Sequence, residues 1–334
     1  WKFSYKKWYG KSFKIMKKAL IIQTAYIGDV ILATPLIETL HLNFPESKID
    51  FMLKKENEVL LTGHPKLQKI YVFDKSKKRS SLLSNIREIR KNKYDLVINL
   101  HRYTSSGIIA GFSGAKHIVG FNKNPFSWMY THRFAHDTEN GQHEVDRNLS
   151  LLKFLGSDVV RRPKLYPIKE HYEKINLYLK SSFICLAPAS VWKTKAAPIE
   201  KWLDIINLYK EKATIYLVGA STDFELCDSI IKKSDASSIV NLCGELSLME
   251  TAALFTKAER VFVNDSGPLH IASAMNTPVT ALFCSTVPSF GFGPLSEDSE
   301  VIEVKNLACR PCGLHGKTQC PEGHFKCGRE LIIH

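Results

Sequence analysis

Apolar residues come in short unbroken blocks along this chain, and polar or helix-period segments separate the blocks. Blocks at 19–23, 48–53, 69–73, 95–100 and 117–120 read as strands, the first of them of the buried type. Between them apolar positions recur at helical spacing over roughly 28–43, 82–92 and 143–155, and Pro35 is expected to kink the first of these helices. Residues 121–142 keep neither period and read as a long surface loop, of a size that is often functional. A second series follows, with strands predicted at 183–187, 214–218, 239–242, 260–263, 279–283 and 300–304. Its helices are predicted at 199–210, 223–233, 247–256 and 267–275. Such alternation predicts parallel sheets covered by helices on both faces. Residues 156–170, GSDVVRRPKLYPIKE, interrupt the series with two prolines, a glycine and a charge cluster, and read as a linker. The chain therefore reads as an α/β protein with domains at 17–160 and 161–334.

Composition sharpens this picture. A chain of 334 residues is long for one domain, and 44% hydrophobic residues can fill two cores. No apolar run approaches the ~18–20 residues that span a bilayer, so a soluble or peripheral protein is expected. The net charge of +13 favours anionic partners such as phosphorylated sugars, nucleic acid or an anionic membrane face. Residues 1–18 hold seven lysines and no acid, mixed with aromatic residues, and no apolar stretch follows that would make a signal peptide. Segment 1–16 reads either as extraneous or disordered sequence or as a membrane-surface anchor. Of eight cysteines, Cys185, Cys227, Cys243 and Cys284 fall in or beside predicted elements and read as small core residues. Cys309, Cys312, Cys320 and Cys327 form a C-x2-C-x7-C-x6-C cluster, with His315 and His324 close by. That spacing suits a structural zinc. Packed free thiols and disulfides are the alternatives, the last disfavoured by the missing signal peptide.

Two blocks carry chemistry. In 264–294 the strand RVFV ends at Asn264-Asp265, and a helix opens through Ser266-Gly267-Pro268. Ser266 suits the N-cap and Pro268 the first turn, and backbone N–H groups at such a start attract phosphate. His270 would lie beside that anion. The block reads as a diphosphate site or as an ordinary capped helix. In 18–35 a buried-type strand runs into Gly28-Asp29 at the start of a helix, where Asp29 is either chemical or a cap.

Taken in chain order, the blocks at 18–35 and 264–294 resemble the G-D and D-(S/T)-G-x-x-H segments of bacterial heptosyltransferases, glycosyltransferase family 9. The resemblance runs from about Lys17 to Cys327, and MKKALIIQ from Met16 looks like a usual opening for the family. Family members usually continue with a helix after the last cysteine, so a truncated end is expected here. The resemblance implies a GT-B architecture, two Rossmann-like domains facing a central cleft. It implies inverting transfer with Asp29 as the catalytic base. In PASVWKTKAAPIEKW, Lys195 matches the lysine that faces the donor diphosphate, although KAAP replaces KRWP and Lys193 stands nearby. Asp223 stands where an acid holds the donor ribose, and is equally placed to cap the next helix. Asp265, Ser266 and Gly267 would receive the diphosphate or the sugar, and His270 and Thr286 would contact phosphate. Cys284 replaces the usual glycine of that last loop. Arg147 in HEVDRNLSLL suits an acidic acceptor, or is a surface partner of Glu144.

The sequence shows no D-x-D motif, so no metal or other cofactor is expected to be required for catalysis. The implied donor is ADP-L-glycero-β-D-manno-heptose. The implied acceptor is the lipopolysaccharide inner core, reached from the cytoplasm at the inner face of the bacterial inner membrane, with no nucleic-acid partner. Rival readings are another nucleotide sugar, an epimerase of the same fold such as a UDP-N-acetylglucosamine epimerase, or a basic zinc-containing nucleic-acid-binding protein.

Overall fold

The computed structural model describes residues 16–138, 140–156 and 158–334. Apart from Met16, the basic aromatic segment 1–16 lies outside the described residues. Contacts divide the chain into two compact units. The first takes in the chain up to Thr138 and Glu144–Arg161, and the second Arg162–His334 with a short segment ending at His143.

The first unit is built on six parallel strands: β1 (Lys18–Ile22), β2 (Lys48–Lys54), β3 (Lys69–Phe73), β4 (Leu96–Asn99), β5 (His117–Phe121) and β6 (His132–Phe134). They stand in the order β3-β2-β1-β4-β5-β6. Ile22 is in register with Met52 on one side and with Asn99 on the other. The run KALII has no alternation because β1 is flanked by β2 and β4 and covered on both faces. Strand order reverses between β1 and β4, and in such sheets ligands bind beyond the strands' carboxyl ends at that point.

The single kinked helix predicted over 28–43 is two helices, α1 (Ile27–Ile31) and α2 (Thr34–Asn43). Pro35 has no N–H to offer the carbonyl of Ile31. Thr34 Oγ1 donates to that carbonyl instead, at 2.7 Å, and the chain turns through Leu32 and Ala33. Helix α3 (Lys78–Asn92) starts four residues before the predicted helix. Helix α4 (Thr104–Gly111) was not predicted, because TSSGIIAG is short and rich in poor helix formers. Its glycines have a packing reason. A Cβ on Gly107 would meet Asn124 Oδ1 at 2.1 Å, and one on Gly111 would meet Met129 Sδ at 2.5 Å. Asn124 Nδ2 in turn donates to the carbonyls of His101 and Tyr103 at 2.8 and 3.0 Å. Segment 121–142 is thus no featureless loop. It contains a 3-10 turn at Ser127–Met129 and the edge strand β6, whose three residues are too few and too polar to show a period. Helix α5 (Glu144–Ser150) closes the unit, and its Asn148 Nδ2 donates to the Leu32 carbonyl at 3.2 Å.

The second unit repeats the plan. Strands β7 (Phe183–Ala187), β8 (Thr214–Leu217), β9 (Ile239–Asn241), β10 (Val261–Asn264), β11 (Val279–Phe283) and β12 (Ser299–Glu303) stand in the order β12-β11-β10-β7-β8-β9, all parallel. The order reverses between β7 and β10. Helices α6 (Lys169–Ile175), α7 (Ile199–Tyr209), α8 (Phe224–Lys233), α9 (Leu248–Phe255), α10 (Gly267–Met275) and α11 (Lys326–Arg329) complete it. Helix α6 begins inside the predicted linker, because two prolines upstream end before it. On α7, Trp202, Ile205 and Ile206 are fully buried against Ile184, Leu186 and Ile215, and the indole N–H donates to the Ala197 carbonyl at 3.2 Å. Cys185, Cys227, Cys243 and Cys284 are buried free thiols, with the Cys227 and Cys243 sulfurs 3.2 Å apart. Among the described residues no helix is long and apolar enough to cross a membrane.

Candidate active site

In the second unit the loops after β7 and β10 meet at the switch point. Lys195 Nζ lies 2.7 Å from Asp265 Oδ2, and Thr286 Oγ1 donates to the same oxygen at 2.6 Å. The neighbouring Lys193 is exposed, so Lys195 is the lysine that the loop turns inwards. Asn264, the last residue of β10, ties the two loops together. Its Oδ1 accepts from the Ala197 N–H at 2.9 Å and its Nδ2 donates to the Pro188 carbonyl at 2.7 Å. Ser266 occupies the N-cap of α10, yet its hydroxyl gives the helix no side-chain cap and donates instead to the Asn264 carbonyl at 3.4 Å. Gly267 and Pro268 then open the helix. One turn in, His270 is buried and its Nδ1 has no hydrogen-bond partner. Burial pushes its pKa down to about 4, aided by His143 and Lys195 against the pull of Asp265. The imidazole is therefore neutral at pH 7, with one ring nitrogen unused in a buried place.

Thr286 and Asp223 both make side-chain contacts within the chain, and for Asp223 the contact is the capping alternative. Thr286 is buried with its hydroxyl proton committed to Asp265, so it orients that carboxylate and does not present a free donor to phosphate. Asp223 Oδ2 accepts from the Ala220 N–H at 2.8 Å, closing the 3-10 turn Ser221–Asp223 that precedes α8. The backbone there is close-fitting, since a Cβ on Gly219 would meet Asp223 Oδ2 at 2.8 Å.

In the first unit Asp29 stands at the third position of α1, and its Oδ2 accepts from the Tyr26 N–H at 3.1 Å. The helix start does not decide its protonation. Burial, reinforced by the charge of Glu144, pushes the carboxyl up to about 6 against the pull of two backbone N–H groups and Arg102. Glu144 itself is buried. Burial raises its carboxyl, but the hydrogen bond and charge of His136 (3.1 Å) and the Arg147 guanidinium (2.7 Å) outweigh this and hold it below the ordinary glutamate value. Arg147 is thereby neither a surface partner nor a free hand for an acceptor. Its side chain is 1% exposed and its Nε donates to Glu144.

The cations that do face outwards were not singled out from the sequence. Arg102 and Tyr103 follow β4, Tyr26 follows β1, Lys54 ends β2, and Lys75 follows β3. Lys54 Nζ lies 5.7 Å from the Tyr26 ring centre and the Arg102 guanidinium 5.5 Å from that of Tyr103. Tyr26 is 76% and Tyr103 58% exposed. Burial and the nearby Lys54 charge lower the Lys75 ammonium below its ordinary value. Basic and aromatic residues directly after strand ends were the available signal.

The four cysteines of the expected zinc cluster lie near one another, since Cys309, Cys312 and Cys320 all bear on the Cys327 thiol. Among the described residues no group of three or more His, Cys, Asp or Glu converges to hold a metal ion. Cys327 points into the apolar core beside Cys284, its thiol pushed up to about 11 chiefly by burial. Cys309 lies 4.0 Å from His324 Nε2, and the Cys312 thiol donates to the Cys309 carbonyl at 3.3 Å.

The family model described as glycosyltransferase family 9 (heptosyltransferase) matches residues 82–324. Lipopolysaccharide heptosyltransferase 3 of Escherichia coli K12 is 30% identical over 287 residues, covering 78% of this chain and 80% of that protein. A glycosyltransferase family 9 structure from Veillonella parvula superposes with a TM-score of 0.77 at 23% identity, covering 86% of each chain. The structure of E. coli ADP-heptose lipopolysaccharide heptosyltransferase II gives 0.75 at 23% identity, over 87% of this chain and 91% of that one. Two six-stranded parallel Rossmann-like sheets are those of the GT-B class, and the chain belongs to glycosyltransferase family 9, the heptosyltransferases.

Proposed function

We propose that this chain is an inverting, metal-independent glycosyltransferase that moves a heptose from ADP-L-glycero-β-D-manno-heptose to the lipopolysaccharide inner core at the cytoplasmic membrane face. The observation that carries the reading is the Lys195–Asp265 pair at the β7/β10 switch point, next to the start of α10 and the unpartnered His270. A cation, a helix start and a neutral imidazole donor can together take the charge of a leaving nucleoside diphosphate. The acceptor hydroxyl attacks the anomeric carbon as the bond from that carbon to the diphosphate oxygen breaks. ADP leaves with the bonding electrons, and the hydroxyl proton passes to Asp29. Burial makes Asp29 a stronger base than an exposed aspartate while leaving it mostly ionised at pH 7. Lys54, Lys75 and Arg102, framed by Tyr26 and Tyr103, suit the carboxylates and phosphates of a core oligosaccharide. The net charge of +13 suits the anionic surface that carries it. The name of the E. coli relative with an ADP-heptose donor supports the choice of nucleotide and sugar.

The test is a thermal-shift panel of nucleotide sugars followed by turnover. ADP-heptose should stabilise the protein more than UDP-linked sugars. Lys195→Ala should weaken ADP about ten- to hundredfold, the loss of a charge-assisted contact. Asp29→Asn should bind ADP as before and lose about 10²–10⁴ in turnover. EDTA should leave turnover nearly unchanged. Strict dependence on a divalent ion, or full turnover in Asp29→Asn, would overturn the mechanism.

A further inference from the structure

The cysteine-rich segment 307–328 has no role in the chemistry above, yet it touches the donor loops at two places, around Arg310 and at Lys317. Its Lys317 and the loop residue Thr194 are joined by three hydrogen bonds. Thr194 N–H donates to the Lys317 carbonyl at 3.1 Å, Thr194 Oγ1 donates to the same carbonyl at 3.1 Å, and the Lys317 N–H donates to Thr194 Oγ1 at 2.8 Å. Ser285 Oγ donates to Thr194 Oγ1 at 2.9 Å, which fills the hydroxyl's capacity. Thr194 is buried and directly precedes Lys195. Gly316, at φ +75°, packs against this residue pair, and a Cβ there would meet Lys195 Cγ at 3.1 Å.

Arg310 makes the second attachment. Its side chain is 5% exposed. The guanidinium donates to the carbonyls of Thr286 and Cys284 at 2.6 Å each and of Val304 at 3.0 Å, and pairs with Glu303 at 2.6 Å. The Cys312 N–H adds a bond to the Ser285 carbonyl at 2.9 Å. Thr286 is the residue whose hydroxyl holds Asp265. An unbroken series of contacts therefore runs Arg310, Thr286, Asp265, Lys195, Thr194, Lys317, beginning and ending in the cysteine-rich segment.

We propose that this segment is a clamp on the donor site, with Arg310 and Thr194 as positioning residues that fix Asp265 and Lys195 for the diphosphate. The proposal rests on the reading of Lys195 and Asp265 as donor residues. It explains why the segment folds against the carboxyl end of the second sheet, and it works through backbone groups, threonine and serine hydroxyls and one guanidinium, with no demand on the sulfurs. Small displacements of such groups are costly, since misplacement by about 1 Å can cost about a hundredfold.

The test compares ADP affinity by calorimetry, and the donor KM and kcat, across a short set of full-length variants. Thr194→Val keeps the shape and removes the three hydroxyl contacts, whereas Thr194→Ser keeps them. Arg310→Lys keeps the charge beside Glu303 but cannot reach all the carbonyls. Thr194→Val and Arg310→Lys should weaken ADP by about ten- to hundredfold with a matching rise in donor KM, and Thr194→Ser should bind like the wild type. Ile206→Val, a core change away from these loops, should lower the melting temperature and leave ADP affinity alone. If Arg310→Lys fails to fold, the Thr194 pair alone decides the matter. Should Lys195→Ala lose ADP while Thr194→Val binds within twofold of wild type, the clamp is wrong and the donor site stands. Should Lys195→Ala itself bind ADP normally, the donor reading falls, and the clamp with it.

Discussion

At Asp29 two effects oppose each other. The N–H groups at the start of α1 favour the carboxylate, whereas burial and the Glu144 charge disfavour it, and burial wins. With the pKa pushed up to about 6, the proposed base loses its function through protonation well above the range of an exposed aspartate. The acid limb of kcat/KM should therefore fall near pH 6. Glu144→Gln removes a negative neighbour and should move that limb to lower pH. A pH-rate series on both proteins checks this, and an unmoved limb would mean that Glu144 does not tune the base. The same shift has a stability side. Because the folded value is raised, ionising Asp29 costs folding free energy, and that part of the stability is lost as pH rises through about 6. The G-D pair was legible in the sequence as a strand-to-helix turn. The influence of Glu144 was not, because it depends on Asn148 fastening α5 to Leu32, a contact with no local sequence signal. The burial of Arg147 was hidden for the same reason.

Among the elements, the strands buried on both faces were the easiest to read, since KALII, LVIN and FICLA keep polar residues out of their interiors and VTALF admits only Thr280, fewer than a helix face would need. What escaped was short or polar: β6 with three residues, α4 with its two glycines, and the break before Pro35. The loop after β7 escaped in a different way. Its lysine was legible by resemblance, but what shapes the loop is Asn264 at the end of β10, reaching the backbone at Pro188 and Ala197. Asn264→Ala would leave a buried N–H and a buried carbonyl unsatisfied, at about 1–3 kcal/mol each. Equilibrium urea unfolding should show a loss of about 2–5 kcal/mol in the unit that contains it. A loss below about 0.5 kcal/mol, the range of neutral surface changes, would show that the loop keeps its shape without this residue.

For the molecule as a whole, three buried histidines set the response to acid. His64, His101 and His270 are each lowered to about 4, with burial as the first cause. A lowered histidine stabilises the fold above the unfolded value of about 6.5, and that contribution is lost as pH falls towards 4. Asp29 and Asp50, both raised by burial, act in the opposite direction, whereas the lowered Asp74, Asp95, Glu144 and Asp235 act with the histidines. The melting temperature should therefore drop by about 5–10 °C or more between pH 6.5 and 4.5, as several lost kcal/mol imply for units of this size. A flat profile from scanning calorimetry would show that these imidazoles stay hydrated. Finally, the two sheets share one strand order, and each places its chemical residues after its own first and fourth strands. Asp29 follows β1 and Arg102 follows β4, while Lys195 follows β7 and Asp265 follows β10. Under the proposed assignment, substitutions behind the first set of strand ends would alter which glycan is extended, those behind the second would alter which activated sugar is spent, and one taste could change without the other.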